Sequence, residues 1–129
     1  MLPMISNYLI HLVTGFAMLA LFAVVYTRVT PLHEMALINR GAIAAAFSFG
    51  GALVGFALTV ASAIAHNPSY ELFLAWGLSG MVAQLLAYVV VARVIPHLRE
   101  ALEADNRAMG ALMGSISIAV GLVNAGCMT

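Results

Sequence analysis

The chain has 129 residues, enough for one domain, of which 64% are hydrophobic and 8% charged; its mean hydropathy of +1.05 excludes a soluble globule. Basic and acidic residues number five each and every basic one is Arg, so neither a nucleic-acid footprint nor a polybasic lipid-binding tail is available. One cysteine, Cys127, can form no internal disulfide and cannot by itself supply the clustered ligands of a zinc-finger type site.

Residues 8–29 form an apolar run interrupted only by His11, Thr14, Thr27 and Arg28, long enough to cross a hydrocarbon core of roughly 30 Å. The positive charge follows this run and no small-x-small cleavage site comes after it, so it reads as a retained span and not a signal peptide. Thr30-Pro31-Leu32-His33-Glu34 then has the form of a helix start, with Thr as N-cap, Pro in the first turn and Glu at the positive dipole end. Leu32, Met35, Ala36 and Ile38 give this short helix an apolar face that can lie at the membrane interface.

Residues 42–65 carry no charge and make a second span. At 100° per residue, Ala44, Ser48, Gly51, Ala52, Gly55, Thr59 and Ser62 share one side and Phe49, Leu53, Phe56, Val60 and Ile64 the other. In lipid no hydrophobic force draws helices together, so a face such as Gly51-x-x-x-Gly55 supplies close backbone approach instead. Asn67-Pro68 breaks the helix, and a third span covers about 72–92. On it Gly77, Gly80, Gln84 and Tyr88 fall in a narrow arc, with Trp76 near the entry as interfacial aromatics are. Leu98 and Leu102, with Arg99 and Glu103 paired at i, i+4, make a second interfacial helix, charged on its wet side. Asp105 and Asn106 offer caps for a fourth span over 108–128, where Gly110, Gly114, Ser117, Gly121, Asn124 and Ala125 share a face.

The fold expected is therefore all-α and polytopic, with four transmembrane helices in a single domain, residues 1–129. A shift of 65 places sets Gly15 on Gly80, Arg28-Val29 on Arg93-Val94 and Pro31 on Pro96, which predicts two tandem parallel repeats, 1–66 and 67–129, each a span, a cytoplasmic interfacial helix and a span. Arg28, Arg40, Arg93, Arg99 and Arg107 all lie in or beside the first and third connections. The positive-inside rule then places those connections in the cytoplasm and both termini in the periplasm.

Thr30-Pro31-x-x-Glu34, Gly51-Ala52-Leu53-Val54-Gly55-Phe56, Leu74-Ala75-Trp76-Gly77 with Gln84-Leu85-Leu86, and the closing Asn124-Ala125-Gly126-Cys127-Met128-Thr129 together resemble the YjfL-like family of small bacterial inner-membrane proteins, a domain of unknown function, over the whole chain. Members of that family resemble one another in two Asn-Thr-Ala-Ala-like helix starts; here the second stands as Asn106-Arg107-Ala108 and the first is replaced by Ala42-Ile43-Ala44. The resemblance implies a four-span inner-membrane protein of unassigned activity. Some relatives are encoded beside PspA-like envelope-stress proteins, which implies an envelope-stress partner at the cytoplasmic face.

No span contains Asp, Glu or Lys, and the only Arg within one lies at its inner edge, so the membrane-embedded carboxylate of small multidrug antiporters is missing. His11 with His66, and His33 with His97, have no evident third ligand and read as ordinary interfacial histidines; no metal, cofactor or catalytic residue is assigned. Gln84 and Asn124 are the intramembrane polar candidates, because a lone amide in hydrocarbon must find a partner. They either staple helices or line a path. The reading preferred is a non-enzymatic scaffold or envelope-maintenance protein in the lipid bilayer that forms a homo-oligomer through its packing residues Ser48, Gly51, Gly55, Gly110, Gly114 and Gly121. The alternative is a small oligomeric channel or transporter lined by Gln84 and Asn124.

Overall fold

A computed structural model describes residues 1–30 and 33–128. The chain runs α1 (Leu2–Val29), α2 (Glu34–Asn39), α3 (Ile43–His66), α4 (Tyr70–Val94), α5 (Leu98–Glu103) and α6 (Arg107–Gly126). The four long helices are long and apolar enough to cross a membrane.

Helix α1 starts at Leu2, earlier than the apolar run alone suggests. Nothing between Met1 and Tyr8 breaks it, and Pro3 falls in the first turn, where its missing N–H has no intrahelical partner to lose. Helix α2 starts later than expected. His33 is its cap, and Thr30 instead closes α1, its N–H bonded to Tyr26 O at 3.0 Å. The proposed first-turn Pro31 and the apolar Leu32 lie outside the described residues. The inward face of α2 also differs, since Glu34 and Leu37 are buried while Met35 is exposed. Gly41, at φ +83°, turns the chain into α3 through the left-handed region that glycine enters freely.

Helices α1 and α4 run parallel: Met18 packs on Gly77 near one end and Tyr26 on Tyr88 nearer the other, ring centroids 5.2 Å apart. Helices α3 and α6 are likewise parallel to each other, with Ala44 against Gly110, Gly55 against Ser117 and Ser62 against Ala125. Both run opposite to α1 and α4, since Phe22 stacks on Phe56 and Gly80 meets Thr59. The two short helices and the arginine-bearing connections therefore share one pole. Both chain ends and the 67–69 turn share the other.

Helix α3 is the hub, packed on all five other helices. Its small-residue side meets α6, and its large-residue side faces the other helices rather than lipid, with Phe56 and Val60 buried. Ser69 caps α4 by accepting from Leu72 N at 3.2 Å, and Asn106 caps α6 by accepting from Met109 N at 3.2 Å. Asp105 does not cap α6. Its Oδ1 accepts from Ala44 N at 2.8 Å, so it caps α3 from across the bundle, where Ala42 has no side-chain acceptor to offer. Helix α5 seats Leu98 and Leu102 in the core and keeps the Arg99–Glu103 pair, 2.7 Å apart, in solvent.

Candidate functional site

The five candidate glycines converge on the seam between α3 and α6. A Cβ placed on Gly51 would strike the backbone of Gly114; on Gly55, Ser117 O; on Gly110, the backbone of Ala44; on Gly114, Phe47 O; and on Gly121, the backbone of Gly55. Ser48 lies beside them, buried, its hydroxyl 3.5 Å from that of Tyr26. These faces are consumed within one chain. Glycines that already touch a neighbouring backbone leave no close-approach surface at those positions.

A row of polar groups crosses the bundle beside this seam. The Thr59 hydroxyl shares its single proton between Gly121 O at 3.2 Å and Gly55 O at 3.3 Å, and Ser62 Oγ donates to Ala125 O at 2.7 Å. Gln84 Nε2 donates to Ser117 O at 2.9 Å and Asn124 Nδ2 to Gly80 O at 3.2 Å. Each bond joins two helices or pins a turn, and in the absence of water such groups must find protein partners. The void that Gln84 shares with Tyr88, Met113 and Ser117 has no room for a water molecule. Gln84 Oε1 is buried with no hydrogen-bond partner.

At the opposite pole from the arginines, His11 Nδ1 lies 2.8 Å from Asn7 O and its ring stacks on Phe73, while His66 Nδ1 lies 3.0 Å from Ser62 O. Both border a groove of about 600 Å3 with Met4 and Tyr8. Among the described residues no three His, Cys, Asp or Glu side chains gather at one point. Cys127 is free and exposed.

The residue that sequence reasoning passed over is Glu34. The sequence marks it as a first-turn acid at the positive dipole end of a short helix, and the structure leaves it 1% exposed. One carboxylate oxygen accepts from the Thr30 hydroxyl, and the other has no partner. Burial raises its pKa above the ordinary carboxylate value, against the smaller opposing effect of the Thr30 hydrogen bond. The Thr30-to-Glu34 spacing of four lets the two side chains meet, but nothing in the sequence marks the acid as buried.

Four apolar helices closed by glycine contacts and amide-to-carbonyl bonds define a small polytopic membrane protein. The chain belongs to the family described as Domain of Unknown Function (DUF350), whose model matches residues 1–128. It is 36% identical over 115 residues to the UPF0719 inner membrane protein YjfL of Escherichia coli (strain K12), covering 89% of this chain and 87% of that one. It is 30% identical over 107 residues to the UPF0719 transmembrane protein YshE of Bacillus subtilis (strain 168), covering 81% and 80%. No solved structure matches it. The protein is thus a multi-pass inner-membrane protein, and these relatives carry no enzymatic name.

Proposed function

We propose that the protein is a non-enzymatic membrane scaffold serving envelope maintenance, built on a rigid α3–α6 pair and presenting its arginine-rich pole to the cytoplasm. The observation that carries this reading is the use of the intramembrane amides: the Nε2 of Gln84 and the Nδ2 of Asn124 are spent on backbone carbonyls of neighbouring helices. A polar path would leave such donors facing water. Self-association, if the scaffold uses it, proceeds through surface outside the sealed seam. The lipid-facing groove between α3 and α6, with Ala46, Gly50, Ala111 and Ser115 on its walls, offers small side chains for that contact. Two tandem repeats, 1–66 and 67–129, are consistent with the shared order and direction of span, short helix and span. An envelope-stress protein is the partner proposed for the cytoplasmic pole.

The second reading, a small channel or transporter lined by Gln84 and Asn124, draws on the unpartnered Gln84 Oε1. The two readings part on flux. Purified protein in liposomes should pass no ion or small solute above empty vesicles, and Gln84→Leu should lower stability by about 1 kcal/mol without changing permeability. A flux that Gln84→Leu abolishes would replace the scaffold reading with the channel.

A further inference from the structure

We propose that Glu34 is a proton-binding site at the arginine-bearing pole: the carboxyl holds a proton while α2 is seated on the bundle and releases it as α2 leaves.

Among the described residues Glu34 is the one carboxylate, histidine or arginine side chain that is buried. Its Oε1 accepts from the Thr30 hydroxyl and its Oε2 meets no donor. Five arginines crowd this pole, yet the ion pairs among the described residues are Arg99–Glu103 and Arg107–Asp105, and neither reaches it. An ionised carboxylate taken out of water with one hydrogen bond and no countercharge is held far less favourably than the neutral acid. The ligand that repairs this is a proton.

Burial favours the neutral form and outweighs the groups around it, of which the Thr30 hydroxyl, a backbone hydrogen bond and His33 each favour the ionised form. Tyr26 from α1 and Tyr88 from α4 lie within electrostatic reach and carry no positive charge. Helix α3 has no titratable side chain before His66. His33, exposed at the head of the same short helix, is the nearby group that can become cationic, and its effect on the carboxyl is smaller than that of burial.

Proton release is coupled to movement because the seat is slight. Helix α2 has six residues, and beyond Glu34 only Leu37 is buried from it, with Ile38 half-buried. Gly41, at φ +83°, is the turn about which α2 would pivot. Short elements with few buried contacts open locally at low cost. The folded-state pKa is raised, so the proton favours the seated state: docking is firm at low pH and weakens as pH rises through the raised value. The device reads alkalinisation and answers by freeing α2.

Two measurements on the full chain in phosphatidylethanolamine–phosphatidylglycerol vesicles test this. Infrared titration of protein labelled with 13C-glutamate should show a protonated glutamic C=O band at neutral pH; Glu71, Glu100 and Glu103 are exposed, so the band is assigned without a variant, and Glu34→Gln should remove it. For movement, Leu37→Cys and the exposed reference Met35→Cys are made in a Cys127→Ser background, and maleimide labelling is expressed as their ratio. That ratio should rise at least about tenfold with pH, the equivalent of one pKa unit of coupling, and stay flat when Glu34→Gln is added. Absence of the protonated band at neutral pH, or a ratio independent of pH in the chain that keeps Glu34, overturns the proposal. A band that shifts with sodium or potassium at constant pH overturns it too, by making the ligand a metal cation.

Discussion

Two acidic residues separated by most of the chain show how far a side chain's role can lie from its local context. Glu34 and Asp105 both stand in short connections, where a carboxylate ordinarily faces water. Glu34 is folded inward, and Asp105 reaches the first turn of α3, accepting from Ala44 N at 2.8 Å. Its left-handed backbone, φ 58°, is one that Asp tolerates better than most residues. Asp105→Gly removes the acceptor without straining that backbone, so the loss should report the cap, about 1 kcal/mol in reversible unfolding. Adding Ala42→Asn should recover most of it, because an amide at the proper cap position can accept from the same turn. If Asp105→Gly unfolds no more readily than the parent chain, the cross-bundle cap contributes nothing. Neither the cap at Asp105 nor the burial of Glu34 was legible beforehand, since both depend on which connection lies over which helix end.

Among the helices, the α3–α6 pair shows the opposite case. Spacing alone collected Ser48, Gly51 and Gly55 on one face and Gly110, Gly114 and Gly121 on another, and each of these faces lies in the seam. What spacing left open was the partner. A small-residue stripe fits a second copy of its own helix as well as a different helix of the same chain, and the covalent hairpins resolve the matter by holding α3 and α6 side by side at high effective concentration. The consequence is measurable. Gly51→Leu forces backbone off backbone and should cost about 3 kcal/mol or more, with loss of folded monomer and not merely of oligomer. Gly50→Leu, where an added Cβ meets nothing within 4 Å, should leave the monomer as stable as before; a loss of self-association in that variant would locate the contact on the α3–α6 groove. Equal damage from both substitutions would contradict the seam as described.

For the molecule as a whole, the parallel pairing of α1 with α4 and of α3 with α6 gathers Arg28, Arg40, Arg93, Arg99 and Arg107 at one pole. In the proposed orientation, which follows the positive-inside rule, that pole faces the cytoplasm. Cys127, exposed near the other pole, should then react with an impermeant maleimide from the periplasmic side of intact cells. A cysteine at Met35 in a Cys127→Ser background should react only after the inner membrane is opened. The reverse pattern would invert the orientation.

Hydropathy, glycine spacing and arginine placement determined, without coordinates, that this chain spans the membrane four times and which surfaces of its helices are smooth. These are local properties, set by side-chain volume and by the refusal of lipid to solvate charge or bare amides. The tertiary structure alone decided that the smooth surfaces meet inside one chain, that Asp105 caps a distant helix, and that Glu34 is buried without a countercharge. Each of those depends on where a helix end or a connection comes to rest against residues tens of positions away, a distance that no periodicity in sequence encodes.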